Sequence, residues 1–170
     1  MLTALRDAKL KGAKIIHINP LPEAGLERFK HPQDYMKLKF NSTQLSDLHI
    51  PLKIGSDAAL FRAINHIIIK NNHYDAAFIG KYTNLFPDYK KSLETIDWEI
   101  TVRDTGISRS KIEKVAEICS KSKSIISCWA MGLTQHRNGV AVIQEVVNLH
   151  LLKGHIAVSY THLRAHETQY

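Results

Sequence analysis

The sequence predicts an α/β fold built on a parallel sheet, and two observations support this. Short apolar segments and amphipathic helical segments follow one another in the order helix, strand, strand, helices, strand, helix, which is typical of parallel α/β units. Polar turns with glycine follow two of the apolar segments, at the position where open α/β sheets bind ligands. With 170 residues, 44% of them hydrophobic, the chain is long enough to bury a core.

The first part of the chain predicts one helix and two strands. Helical periodicity over residues 2–11 indicates a helix that Gly12 ends. Residues 13–19 are almost continuously apolar, as in a parallel strand covered on both faces. Residues 26–43 lack a clear period and predict a long loop with one helical turn. Residues 46–54 predict a second strand, which its internal proline makes short or places at an edge.

Helical segments fill most of the remaining chain. Apolar residues at helical spacing predict a helix over 58–71, for which Ser56 or Asp57 can serve as N-cap. The other predicted elements are short helices over 75–83 and 87–93, a less regular segment over 98–102, a helix over 109–120 after Ser108, a strand over 124–129 and a helix over 140–152 that Gly154 ends.

The same periodicity predicts which helical side chains face the core. The expected inward residues are Ile112, Val115, Ala116 and Cys119 on one helix, and Val140, Ile143, Val147 and Leu151 on the other. The two cysteines, Cys119 and Cys128, match neither a zinc nor an iron–sulfur spacing, so both are expected to be buried free thiols.

Charge and hydropathy disfavour two classes of partner. The net charge is +7, but Lys and Arg are spread over helix faces without a dense run, so no nucleic-acid partner is expected. No apolar run reaches the roughly 18 residues of a membrane helix, so no membrane insertion is expected. Residues 2–14 are mixed and charged, unlike a signal peptide.

No catalytic or metal-binding constellation is predicted. The chain has ten histidines, but none belongs to an H-E-x-x-H motif, and the one pair four residues apart, His162 and His166, lies in the C-terminal tail. A nucleophile elbow, a P-loop and a G-x-G-x-x-G motif are also missing from the sequence. Three polar turns contain groups that could instead contact a ligand: His17, Ile18, Asn19 and Pro20; Gly55, Ser56 and Asp57; and Met131, Gly132 and Gln135.

The second turn has the chemistry of a nucleotide site. Gly55 lets the backbone approach a ligand closely, and the following helix offers free amide donors. The Asp57 carboxylate can accept two parallel hydrogen bonds, such as those that the N1 and N2 edge of guanine donates. The alternative is that Asp57 is only an N-cap, and both roles can coexist.

Each of the other turns also has a simpler reading. Asn19-Pro20 can merely begin a loop, and residues 131–135 can be an ordinary polar turn. His17 lies on an apolar strand, where a hydrogen-bonded core or rim histidine is more common than a metal ligand. Gln135 can offer a donor and an acceptor to a heterocycle edge, and Met131 can pack on a flat ring.

In order and spacing, residues 15–20, 54–60 and 129–139 resemble the molybdopterin oxidoreductases, and most closely the formate-dehydrogenase-like alpha subunits. The resemblance runs from about Leu2 to Ala157. It implies a Rossmann-like dinucleotide-binding unit, an incomplete fragment of a larger multidomain catalytic subunit located in the cytoplasm. The alternative is a stand-alone nucleotide-binding α/β module without redox activity, which would require natural chain ends.

The resemblance also implies a cofactor, Mo-bis(molybdopterin guanine dinucleotide). Asp57 with Gly55 and Ser56 would hold its guanosine, the turn from His17 to Pro20 would line its ribose or diphosphate, and Met131, Gly132 and Gln135 would contact its pterin. The molybdenum ligand, and the cysteines of any [4Fe-4S] cluster in the full-length parent, would lie upstream of Met1. The expected partners are the cofactor and the rest of the catalytic subunit; no particular electron-transfer partner is implied.

The C-terminal tail is set aside from the fold prediction. Residues 158–170 have neither helical nor strand periodicity, and they resemble a translated sequencing-library adapter. The sequence therefore predicts a family domain over residues 1–157 and a non-native, disordered tail over 158–170. A genuine polar tail is the alternative.

Overall fold

Two parallel strands and the helices around them form the part of the chain that the structure, a computed structural model, describes: residues 2–30 and 42–156. The elements, in chain order, are α1 (Leu2–Leu10), β1 (Ile16–Ile18), α2 (Ala24–Glu27), β2 (Leu48–Ile50), α3 (Asp57–Lys70), α4 (Ala76–Tyr82), α5 (Phe86–Ser92), α6 (Trp98–Thr105), α7 (Arg109–Lys121), α8 (Met131–Thr134) and α9 (Gly139–Leu152).

The parallel sheet expected from the sequence is present. Strands β1 and β2 pair in parallel, with His17 opposite His49 at the centre of the register. Each strand has three residues and is shorter than predicted. Pro20 and Pro51 follow just after the strands, and proline cannot donate a ladder hydrogen bond. Both strands end at the same side of the sheet, which we call the carboxyl edge and define as residues 19–20 and 51–56.

Helix α3 lies at the centre of the main core. Its inward residues Leu60, Ile64 and Ile68 are fully buried, and it packs against α9, α7 and α6. The predicted inward face of α7 is confirmed, since Ile112, Val115, Ala116 and Cys119 are all buried. A second, smaller core beneath α1 consists of Leu26, Phe29 and Leu45.

Helices α3 and α9 run in the same direction. Near their amino ends, His136 influences the titration of Asp57; beyond their carboxyl ends, the Lys153 ammonium donates to the His73 carbonyl at 3.1 Å. Between these points, the Arg62 guanidinium donates to the Glu145 carboxylate at 3.0 Å. Because β2 leads directly into α3, both helices begin near the carboxyl edge.

The face that α9 buries differs from the prediction. Val142, Val146 and Leu149 are buried, whereas Val140 is 75% exposed and Val147 is 38% exposed. The helix is apolar on nearly every side, so its periodicity indicates no single face. Glu145 lies on the buried face and accepts from Arg62 and Asn65 of α3, so this face turns inward and the expected residues Val140 and Val147 lie outside.

The segment over 98–102, predicted to be irregular, is part of a regular helix, α6. The Asp97 carboxylate caps it by accepting from the Ile100 amide at 3.0 Å, and Gly106, with φ of 72°, ends it. Thr101 and Thr105 obscured the helical pattern because they are polar and β-branched. Their hydroxyls donate to the carbonyls four residues earlier, both at 2.7 Å, which allows burial.

The prediction of a strand over residues 124–129 is wrong. This segment carries neither strand nor bridge assignment, and Ile126 is 88% exposed. An apolar, β-branched segment becomes a strand only when a neighbouring strand satisfies its backbone groups. Cys128 lies in this segment and is exposed, so the expectation of two buried thiols holds for Cys119 alone.

Two further findings concern classes of site. Within residues 2–30 and 42–156, no helix is both long enough and apolar enough to cross a bilayer. Over the same residues, no three His, Cys, Asp or Glu side chains form a group that could hold a metal ion. The predicted tail over 158–170, and most of the predicted loop over 26–43, lie outside the described residues.

Candidate functional site

The carboxyl edge brings the first two predicted turns together. The Asn19 amide donates to the Ile50 carbonyl at 3.2 Å, which extends the ladder by one residue. The His49 Nε2 donates to the Asn19 carbonyl at 2.9 Å, since a carbonyl oxygen can only accept. Asn19 and Pro20 therefore lie beside the segment that follows β2 and leads to Gly55, Ser56 and Asp57. Ile18 is half-buried within the ladder.

The turn before α3 differs in detail from a capped helix start. Gly55 has φ of +84°, a conformation that favours glycine, and the space where a side chain would begin is open. Ser56 occupies the N-cap position, but its hydroxyl donates backwards to the Lys53 carbonyl at 2.6 Å and makes no capping bond. The first amides of α3 therefore receive no capping bond from Ser56.

Asp57 is the first residue of α3, and its carboxyl group is partly enclosed. Burial raises the pKa of Asp57, while its own backbone amide and the nearby His136 act in the opposite direction. The N-cap expected at Ser56 or Asp57 is thus found at Ser56 by position only.

The third turn forms the single-turn helix α8 and is open to solvent. Gln135 donates from its side-chain amide to the Met131 sulfur at 3.4 Å, and Met131 is 66% exposed. Gly132 has free space around it, whereas a side chain at Gly139 would lie 2.9 Å from the Leu133 carbonyl oxygen. Gly139 therefore lets α9 begin directly against α8.

His136 connects the third turn with the second. It follows Gln135 directly and lies close enough to Asp57 to lower the pKa of that carboxyl group. The structure therefore places the Asn19 turn beside the end of β2, from which the chain continues to the Asp57 turn, and it places His136 near Asp57. Met131 and Gln135 are exposed, and their side chains are hydrogen-bonded to each other.

His17 is buried, in agreement with the expectation of a core or rim residue. Its ring stacks on His49 with a centroid distance of 4.9 Å. Burial, the largest effect, and the neighbouring His49 lower the pKa of His17, and Glu23 and Glu27 oppose them.

Two polar residues at this edge, Glu23 and His49, were missed among the site residues predicted from the sequence. Glu23 accepts from the Asn19 side chain, and His49 donates to the Asn19 carbonyl. The position of His49 in the second apolar segment, matching that of His17 in the first, is the signal that could have identified it. Glu23 carries no such signal, because its contact depends on how the chain turns after Pro20.

An open groove of about 570 Å³ lies away from these turns, between the carboxyl half of α3 and helices α6 and α7. Its lining includes Trp98 and Arg109, whose guanidinium carbon lies 4.6 Å from the Trp98 ring centroid. Arg109 also pairs with Glu113 at 2.8 Å. None of the predicted site residues lines this groove.

Comparison with known proteins gives consistent matches. The family model for the molybdopterin oxidoreductases matches residues 3–169, which includes most of the tail set aside above. An uncharacterized oxidoreductase of Mycobacterium tuberculosis is 36% identical over 162 residues, and protein YdeP of Escherichia coli is 35% identical over 167. Formate dehydrogenase H of Escherichia coli is 34% identical over 150 residues.

These matches cover most of this chain but a small part of each relative. They span 92%, 92% and 88% of the chain, and 21%, 22% and 19% of the three relatives. Acetylene hydratase from Pelobacter acetylenicus shares the fold, with a TM-score of 0.73 at 22% identity, over 91% of this chain and 19% of that one. The chain spans about a fifth of the length of its relatives, and by its family match it belongs to the molybdopterin oxidoreductase family.

Proposed function

We propose that this chain forms one wall of a molybdopterin guanine dinucleotide site within a larger, cytoplasmic, formate-dehydrogenase-like catalytic subunit. The observation that carries the proposal is the position of Asp57. Its partly buried carboxyl group lies at the start of α3, close to the carboxyl edge, with His136 nearby. Ligands of open α/β sheets bind at such an edge.

Asp57 suits the recognition of guanine. An ionised carboxylate accepts two parallel hydrogen bonds, and the N1 and N2 groups of guanine donate such a pair. Burial raises the pKa of the group, which signals a site partly withdrawn from water, where a charge-assisted bond is stronger. Adenine lacks this donor pair, so the contact would also discriminate between the bases.

The other two turns suit the remaining parts of the dinucleotide. Asn19 presents a carboxamide at the end of β1, within reach of a ribose or diphosphate bound at the carboxyl edge, next to His17, Ile18 and Pro20. Gly55 and Ser56 leave backbone amides accessible before α3. Met131, Gly132 and Gln135 offer an exposed thioether, an open backbone position and an amide to a pterin ring.

The division of labour follows from this arrangement. The molybdenum centre, when bound, supplies the two-electron chemistry, and the protein positions and tunes it. The residues of the three turns bind and orient the nucleotide end and the pterin end of the cofactor. The molybdenum ligand and the ligands of any [4Fe-4S] cluster would belong to other parts of the subunit.

The test is Asp57→Asn in the complete catalytic subunit. The amide keeps the shape of the side chain but replaces one acceptor with a donor that opposes a guanine N–H. We expect dinucleotide affinity to fall about ten- to over a hundredfold, equivalent to roughly 1.5–3 kcal/mol. Guanine and molybdenum per mole of protein are measured beside the melting temperature.

A matched control is Asp75→Asn, which changes the carboxylate that caps α4 and leaves the carboxyl edge intact. It should leave guanine content unchanged, because Asn is also a good N-cap. If Asp57→Asn kept its full guanine content but had a lowered melting temperature, Asp57 would have a structural role and would not bind guanine. A complete subunit that contains neither guanine nor molybdenum would instead favour a nucleotide-binding module without redox activity.

A further inference from the structure

Asn19 is held at the end of β1 from three directions. Its amide donates to Ile50, its carbonyl accepts from His49, and its side-chain Nδ2 donates to the Glu23 Oε1 at 2.7 Å. The first two contacts fix the backbone. The third fixes the rotation of the carboxamide, and therefore which edge of this group faces outward from the carboxyl edge.

The Glu23 oxygen that accepts from Asn19 is also the nearest carboxylate atom to a buried histidine. The His17 Nε2 lies 3.9 Å from Glu23 Oε1, too far for a hydrogen bond. This nitrogen is buried and has no hydrogen-bond partner among the described residues. His17 is 8% exposed, so water has little access to it.

Two groups therefore compete for one oxygen. With His17 neutral, the oxygen serves Asn19. With His17 protonated, the cation would draw the carboxylate across the 3.9 Å gap into an ion pair, since a buried charge requires a partner. Asn19 would then lose the bond that orients its carboxamide.

We propose that Glu23 is a positioning residue for the dinucleotide site, orienting the Asn19 carboxamide, and that protonated His17 competes for the same carboxylate oxygen. This inference rests on the proposed function. The group that the Asn19 carboxamide would contact is the ribose or diphosphate portion of the dinucleotide, bound at the carboxyl edge where Asn19 lies.

Neutral His17 is the state favoured near pH 7. Burial, the largest effect, and the stacked His49 lower the pKa of His17, and the carboxylates of Glu23 and Glu27 raise it without reversing the shift. Acidification below the usual range of histidine is therefore needed to protonate His17 and to release Asn19.

The test follows two NMR signals in the 170-residue chain: the Asn19 side-chain amide and the pH titration of His17. Glu23→Ala should move the Asn19 amide resonances to unbonded values and lower the pKa of His17. Glu23→Gln keeps an acceptor but removes the charge, so it should preserve the Asn19 resonances while lowering the pKa of His17.

Glu27→Gln is the matched control. Glu27 also raises the pKa of His17 but is not the residue bonded to the Asn19 side chain. It should lower the pKa of His17 and leave the Asn19 resonances in place. The proposal would be overturned if the Asn19 resonances did not change in Glu23→Ala. It would also be overturned if, in the unsubstituted chain, these resonances did not shift as His17 titrates.

A second measurement separates this inference from the proposed function. In the complete subunit at pH 7, Glu23→Ala should weaken retention of guanine by roughly two- to tenfold, as the loss of one net hydrogen bond predicts. Glu27→Gln should not. If the unsubstituted subunit holds no guanine, the proposed function fails; if it holds guanine and Glu23→Ala retains it equally, the positioning role fails.

Discussion

Cys119 and Cys128 occupy opposite environments although they are close in sequence. Cys119 lies in the core on α7, and burial raises its pKa to about 11. Cys128 is exposed in the extended segment before α8. A thiol reacts as its thiolate, so the two groups should differ greatly in reactivity.

At pH 8, we therefore expect iodoacetamide to alkylate Cys128 and to spare Cys119. The raised pKa keeps Cys119 protonated, and the core blocks the reagent. Mass spectrometry of tryptic peptides measures each site separately, and alkylation in urea provides the control in which both react. Equal labelling of the folded chain would show that Cys119 is accessible.

Asp47 joins three segments near the start of the chain. Its carboxylate pairs with Lys9 on α1, accepts from Lys14 at 3.4 Å and accepts from the Ile15 amide at 2.8 Å. Burial is the largest single effect and would raise the pKa of Asp47, but the contacts with Lys9, Ile15 and Lys14 together outweigh it and lower the pKa.

A lowered folded pKa gives stability that is present above the unfolded pKa and lost as pH falls through the folded pKa. Asp47→Asn should therefore reduce the free energy of unfolding at pH 7 by roughly 1–3 kcal/mol. The difference from the unsubstituted chain should shrink in acid, below the usual range of aspartate. Urea unfolding at several pH values measures this, and the exposed Asp104→Asn is the control. A difference that stays constant with pH would contradict the assignment.

At the scale of residues, the sequence indicated which turns contain candidate groups but not which groups meet. Asp57 could be identified because a carboxylate at a helix start is a local pattern. Glu23 could not, because its contact requires the chain to turn back toward Asn19 after Pro20. His49 had a signal in its place within the second apolar segment, but its contact with Asn19 depends on the pairing of β1 with β2. His136 could be recognised as a neighbour of the third turn, while its proximity to Asp57 depends on how α9 packs against α3.

Among the elements, α3 and α9 are joined by a buried polar contact at Glu145. The Glu145 side chain is 7% exposed and accepts from the Tyr89 hydroxyl at 2.6 Å, Arg62 at 3.0 Å and Asn65 at 3.3 Å. Burial and the Glu145 carboxylate hold the pKa of Tyr89 well above its usual range. These bonds join α3, α5 and α9.

Glu145→Ala should destabilise the chain by roughly 1–3 kcal/mol, because it leaves the Tyr89 hydroxyl without its acceptor, whereas the half-exposed Arg62 keeps its bond to the Ser92 carbonyl. Glu145→Gln keeps the shape and should cost less. Glu117→Ala is the control: it removes a pair with Lys121 that is exposed on α7, and the unfolding midpoint should not move. An unchanged midpoint in Glu145→Ala would show that the buried contacts contribute no net stability.

The elements show where periodicity succeeds and where it fails. It identified α3 and α7, whose apolar residues repeat on one face above a polar one. It failed for α6, where the hydroxyls of two buried threonines donate to backbone carbonyls of the same helix. It also failed for the face of α9, which is apolar on nearly every side and has Glu145 on its buried face. The extended segment over 124–129 has strand-like composition, but composition does not supply a hydrogen-bonded neighbour.

For the whole molecule, the sequence predicts that residues 158–170 contribute nothing to folding. Their removal should change the free energy of unfolding by less than about 0.5 kcal/mol, because a segment with neither helical nor strand periodicity is not expected to pack against the core. Chemical denaturation of the chain with and without these residues measures the difference. A clear loss of stability on truncation would show that the tail is structural.

The parallel α3 and α9 helices have a further, electrostatic consequence. Each helix has 14 residues, and aligned peptide dipoles place about half a positive elementary charge at the amino end of each. Both ends lie near the carboxyl edge, so their fields add there. The diphosphate of the proposed dinucleotide would be attracted by roughly one elementary charge, and this attraction would weaken as ionic strength rises. Cofactor loading should therefore be more efficient in dilute salt than in concentrated salt.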